Sequence, residues 1–126
     1  MPDPMSEGGA RIRLCLGGVT LAGRLAGSVP GRALADRLPL TLTFRDYNGV
    51  EKLAPLGAPL PIEGEPSGAD PDIGEIGWYA PSGDLVLYYG RVGYWLGIIR
   101  LGRYEGDPGI VQAQPDGAQV AIELAD

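Results

Sequence analysis

The sequence predicts a mainly β fold, a closed antiparallel barrel of seven or eight short strands with one or two short helices. Three observations carry this. Several segments alternate strictly between apolar and polar residues, two-residue turn signals separate them, and glycine and proline together supply 33 of the 126 residues. So much glycine and proline cuts a chain into short elements. The 32 leucine, isoleucine, valine and phenylalanine residues still lift it above the level where disorder is the default. One domain is expected over residues 11–126, after a tail over residues 1–10 that has neither the basic start nor the apolar run of a signal peptide or anchor.

The elements follow in order. Arg11 to Leu16 places Ile12, Leu14 and Leu16 on one face and Arg13 and Cys15 on the other, the pattern of a half-buried strand. Gly17-Gly18 gives the positive-φ turn of a tight hairpin, and Val19, Leu21 and Leu25 resume the rhythm. Ser28 is placed to cap a helix from about Val29 to Arg37, with Pro30 in its first turn, Leu34 and Leu38 one turn apart, and Pro39 as its stop. Leu40, Leu42 and Phe44 then alternate with Thr41, Thr43 and Arg45. Asn48-Gly49 turns that strand into a partner starting near Val50.

From Pro55 to Gly74, five prolines and four acids read as a long surface loop. Ile76, Trp78 and Ala80 form the next strand's face, Pro81 to Asp84 a turn, and Leu85, Leu87 and Tyr89 the face after it. Tyr94 to Gly102 is nearly all apolar, as a strand buried on most sides would be, with Tyr94 and Trp95 as core or cap residues. A second short helical turn is expected near Asp107 to Gln114, and Val120, Ile122 and Leu124 mark the last strand.

Composition excludes several kinds of chemistry. There is no histidine and one cysteine, so Ser-His and Cys-His nucleophiles and the usual zinc sites are ruled out. No metal or other cofactor is expected. Asp70, Asp72 and Glu75 imitate a calcium loop, but the glycine is misplaced and Pro81 stands where the bidentate glutamate belongs. The net charge of −6, with one lysine, offers nucleic acid no basic face. The apolar runs are too short to span a membrane as a helix. With a lone Cys15 as well, a soluble cytoplasmic protein is expected.

Ala26-Gly-Ser-Val-Pro30 leading into a helix resembles the opening of the cyclophilins. Leu42 to Lys52, Gly74 to Leu85 and Gly97 to Gly102 are similar to the prokaryotic cyclophilin-like family of uncharacterised small proteins. The resemblance covers about Arg11 to Leu124. It implies an eight-stranded cyclophilin-like barrel with a ligand groove on its outer wall. The isomerase signature of true cyclophilins departs here: Phe44-Arg45 has altered spacing, and neither the Phe-Met-x-Gln segment nor any histidine follows.

If Leu40, Leu42 and Phe44 point inward, period 2 sets Arg45 and Tyr47 on the outer wall, with Tyr79 and Tyr88 beside them. Arginine and tyrosine on one sheet face supply a planar donor fork and stacking rings. Cross-strand pairing that merely supports the sheet is the structural alternative. The site expected is Arg45 as donor, Tyr47, Tyr79 and Tyr88 as walls, and Glu51 orienting Arg45, binding a peptide or small molecule without chemistry. Two other readings stand beside it. One is a weak prolyl isomerase centred on Arg45. The other is a structural, homo-oligomerising module, if the outer face of Tyr94 to Leu101 is uncovered.

Overall fold

The alternating segments become strands whose apolar faces share one lumen. The computed structural model describes residues 9–125; residues 1–8 of the expected tail, and residue 126, lie outside the described residues. In chain order the elements are β1 (Arg11–Leu16), β2 (Val19–Leu25), α1 (Val29–Arg37), β3 (Leu40–Tyr47), β4 (Glu51–Pro55), β5 (Gly68–Ala69), β6 (Glu75–Tyr79), β7 (Asp84–Tyr88), β8 (Trp95–Leu96), β9 (Ile98–Tyr104), α2 (Pro108–Gln112) and β10 (Ala118–Leu124). Eight strands close antiparallel in the order β1-β10-β3-β4-β7-β6-β9-β2, leaving no open edge in the barrel.

The lumen is filled by side chains. Leu14, Leu16, Leu25, Leu85, Leu87 and Leu101 are fully buried there, with Phe44 and Trp78 among them. Trp78 Nε1 is the buried side-chain polar atom without a hydrogen-bond partner among the described residues. Its donor is the cost of packing a large ring into an otherwise apolar interior. No room for a ligand remains inside, as expected for a barrel of this strand number.

Local chemistry accounts for the ends. The Ser28 side chain accepts from the Gly31 amide to cap α1, and Leu34 anchors that helix on the core. Asn48 and Gly49 take φ of 54° and 65°, the mirror-image turn that matches strand twist. Asp107 caps the single turn of α2, whose Val111 plugs one end of the barrel. Nearby, Lys52 is buried, donating to the Gln114 carbonyl at 2.6 Å and pairing with Asp46 at 3.3 Å, while the Tyr89 hydroxyl donates to Asp46. Ala10 already belongs to the barrel, because its carbonyl accepts from the Leu25 amide.

Two expectations need correction. The apolar run after Tyr94 is not one strand: Gly97, at a φ of +94°, breaks it. Ile98 to Tyr104 enters the barrel, whereas Trp95 and Leu96 pair with Ala69 and Gly68 in a small sheet outside it. Tyr94, Trp95 and Leu96 are therefore exposed at 60%, 58% and 66%, not core. The outer face of β9 is covered, with Ile98 buried. The segment over 55–74 is likewise more than a loop, since it contributes β5 and buries Leu60. Among the described residues no helix is long and apolar enough to cross a membrane.

Filling predicts a contrast. Leu87→Ala should cost roughly 2–5 kcal/mol, and Leu96→Ala should change stability by less than about 0.5 kcal/mol, both read from denaturant midpoints at constant slope.

Candidate functional site

Strands covered on both faces need two apolar sets, and the wall from β4 through β9 has them. On β7, Leu85 and Leu87 face the lumen, whereas Val86 and Tyr88 join Leu53 and Ile98 in a second cluster on the outside. Register arranges this outer wall in three rows. Tyr47 lies opposite Glu51, which lies opposite Tyr88. The next row runs Arg45, Leu53, Val86, Gly77, Arg100. In the third, Asp84 faces Tyr79, and Tyr79 faces Ile98.

Over these rows the segment after β7 raises Arg91, Val92 and Trp95, and together they enclose a cleft of about 430 Å³. That volume lies within the range of small-molecule sites. The Trp95 indole N–H donates to the Val92 carbonyl at 2.9 Å, which holds the ring on the rim. Arg91 is tied loosely to Asp72 at 3.6 Å.

All five residues expected from the sequence line this cleft: Arg45, Tyr47, Glu51, Tyr79 and Tyr88. Two differ from expectation in detail. Tyr88 faces outward yet is buried, because its ring lies on the backbone of Gly77. A Cβ at Gly77 would stand 2.8 Å from the Tyr88 ring and 3.0 Å from its hydroxyl, so only glycine permits this contact. Glu51 does not orient Arg45. The register sets Glu51 directly across from Tyr47 and only diagonally from Arg45, and no hydrogen bond or ion pair joins the two or engages either one among the described residues.

A supporting layer lies beside the cleft. Glu75, fully buried, takes both nitrogens of Arg100 at 2.8 and 3.0 Å and accepts from the Asp72 amide at 2.7 Å. A β-bulge between Ile76 and Gly77 keeps Arg100 on the outer wall while Leu101 stays in the lumen. Asp84 accepts from the Ser82 hydroxyl at 2.8 Å. The Tyr104 hydroxyl, from the lumen side, donates to the Tyr88 carbonyl and pins β7.

Electrostatics single out one group. Burial lifts the Glu51 carboxyl from its ordinary 4.5 to about 7, with the charges of Asp84 and Asp46 adding to the effect. Burial also raises the Tyr88 phenol, followed by the charges of Glu51 and Glu75, so it stays a neutral hydroxyl. At the barrel end, the Tyr89 hydroxyl holds the Asp46 carboxyl below its usual range, helped by the Gly49 amide and Lys52. Among the described residues no group of three or more carboxylates or thiols stands close enough to hold a metal ion.

Sequence reasoning missed Asp84, Val86 and Leu53 on the floor, although the same period-2 count reaches them. It had no handle on Arg91, Val92 and Trp95, because a segment without periodicity does not reveal where its side chains point. The lone Arg100 in an apolar run was the available signal for the Glu75 pair.

A family model described as a cyclophilin-like family matches residues 14–123. The fold is similar to the solution structure of a hypothetical protein from Archaeoglobus fulgidus, with a TM-score of 0.67, 21% identity, and coverage of 96% of this chain and 100% of that one. No curated protein matches the chain.

Glu51 gives a pH signature. Its raised carboxyl holds a proton in the folded state that the unfolded chain releases, so its contribution to stability falls as pH rises from 4.5 through about 7. Glu51→Gln should flatten that stretch of the stability profile. It should also leave the variant more stable above pH 7, by about 1–2 kcal/mol after allowing for screening of a half-exposed group. Denaturation midpoints at pH 5 and pH 8 measure both effects.

Proposed function

We propose that this chain, which belongs to the cyclophilin-like family, binds a peptide or small molecule in the cleft on the outer wall of its barrel, without chemistry of its own. One observation carries the reading. The lumen is filled, and the outer wall holds a cleft of about 430 Å³ with an apolar floor and aromatic walls, into which Arg45 projects with no partner. The exposed rings of Tyr47 and Trp95 give affinity through area removed from water, and an uncommitted guanidinium gives orientation through charge-assisted hydrogen bonds. Tyr79 stands half-buried beside them, and buried Tyr88 supports the floor from below. A reducing, cytoplasmic setting fits the single Cys15, which makes no disulfide.

Chemical-shift titration with proline-containing peptides and then with a metabolite mixture tests this. Ligand should move the amides of Tyr47, Glu51, Leu53, Tyr79 and Val86 together, and Arg45→Ala should weaken binding by about 10- to 100-fold, the worth of a charged hydrogen bond. Shifts confined to other faces of the barrel would sink the reading.

A second reading, weak prolyl isomerisation, is favoured by one feature: Arg45 stands in the same row as Leu53 and Val86, a donor beside an apolar floor. It requires the wild type to accelerate exchange of an X-Pro peptide measurably faster than Arg45→Ala in an exchange-NMR assay. Equal rates remove it.

A further inference from the structure

Arg45 and Glu51 stand on adjacent antiparallel strands, with Arg45 opposite Leu53 and Glu51 opposite Tyr47. That makes them diagonal neighbours on one face, roughly 7–8 Å apart at the backbone and within reach of long side chains. Opposite charges so placed ordinarily pair. Here they do not, and neither finds another partner among the described residues.

Of the other charged groups nearby, Lys52 holds Asp46 and the Gln114 carbonyl, and Arg100 holds Glu75. Arg91 and Asp84 also line the cleft, Arg91 loosely paired with Asp72 and Asp84 accepting the Ser82 hydroxyl. Arg45 and Glu51 are thus the two charged side chains lining the cleft that have no partner among the described residues, side by side above buried Leu53, Val86 and Ile98.

The occupant's chemistry follows from that pair. A purely anionic ligand on Arg45 would bring its charge beside Glu51 and Asp84. A purely cationic ligand on Glu51 would face Arg45. Either would cover one of the two side chains without giving it a partner, which costs free energy. A ligand that carries both charges meets both side chains at once.

We propose that the cleft takes a small zwitterion of the amino-acid or dipeptide class: its carboxylate on the Arg45 guanidinium, its protonated amine on the Glu51 carboxylate, and an apolar or aromatic side chain against the exposed rings of Tyr47 and Trp95. The inference rests on the binding reading above and narrows it. The volume of about 430 Å³ suits this class, and Tyr47, opposite Glu51 and exposed, offers a ring face to an ammonium group.

Glycyl-phenylalanine is the probe, titrated into the full chain as the free dipeptide, the N-acetylated form, the C-terminal amide and the doubly blocked form, with amide chemical shifts as readout. The free dipeptide should move the amides of Tyr47, Glu51, Leu53 and Val86, and each single block should weaken binding at least tenfold. Glu51→Gln should erase the difference between free and N-acetylated forms, and Arg45→Ala that between free and amidated forms. Dispersed spectra of both variants establish that they fold.

Affinity for the free dipeptide should also fall as pH drops below about 7, where Glu51 takes up its proton. The chain has no histidine to titrate in that range. Among the described residues, the other charged or titratable groups around Glu51 are Arg45, Asp46 and Tyr47 on β3, Asp84 and Tyr88 on β7, Tyr89 just after β7, and Arg91 across the cleft.

If the doubly blocked peptide binds these amides as well as the free one, the zwitterion is overturned and the site stands. The same holds if all four forms fail while another compound moves the same amides. If nothing in any titration moves them, both the class and the site fall.

Discussion

The structure depends on a closed barrel whose inside is full. Strand alternation sends every second residue inward, and inward residues that are mostly leucine, isoleucine and valine pack the lumen. Closure removes the edges that would otherwise recruit other chains, and filling removes the interior as a binding place. Whatever this protein recognises must therefore meet the outward-pointing half of each strand. The period of two sorts the chain into residues that hold the fold and residues available for recognition.

One sector of the outside is treated differently from the rest. Along β4, β7, β6 and β9 the outward residues include Leu53, Val86, Tyr88 and Ile98, and the segments outside the barrel fold back to cover part of them. Covering an apolar wall completely would give a second core, and leaving it bare would give a sticky patch. The chain comes close to the first, since Leu53, Val86, Tyr88 and Ile98 are exposed at 8% or less. β5 and β8 shield the far side, while Trp95 and Arg91 stop at the rim and leave a cleft over the middle. Gly77 is integral to this. By carrying no side chain it lets Tyr88 lie flat, so the floor is low enough for a ligand to fit under the rim.

How legible this was in the sequence follows the same division. Where a residue belongs to a periodic segment, as Ile12 to Leu16, Leu40 to Phe44 and Val120 to Ile122 do, the lumen face could be read directly, although Leu124 at the strand's end is exposed, and Ser28, Pro30 and Pro39 bounded the one long helix. The outward positions of Arg45, Tyr47, Tyr79 and Tyr88 came from that counting too. What sequence could not give was coverage. Tyr88 and Tyr47 share a row, yet one is buried and the other exposed, because only the first has Gly77 beneath it and a neighbouring strand on each side. The fate of Trp95 depended on Gly97, since a glycine in an apolar run can either pass through a strand or end it. Pairing was equally hidden: nothing local distinguishes Arg100, which closes on Glu75, from Arg45, which closes on nothing.

That last contrast carries the argument furthest. Both arginines lie in one row, separated by three apolar or glycine positions, and both have a glutamate within diagonal or near reach. Arg100 and Glu75 are bidentate, Glu75 buried and Arg100 half-buried, with the Asp72 amide completing the carboxylate, an arrangement that offsets the desolvation of the carboxylate. Arg45 and Glu51 face the cleft and recover nothing from each other, while Glu51 sits near two further carboxylates that raise its proton affinity. The same chemistry has thus been resolved internally on one side of the wall and left open on the other. Unmet charge beside an apolar floor weakens a free protein slightly, and an occupant of matching charge reverses that loss. On the proposed reading, the energetic gap between the two glutamates is where a ligand would act on an otherwise self-satisfied barrel.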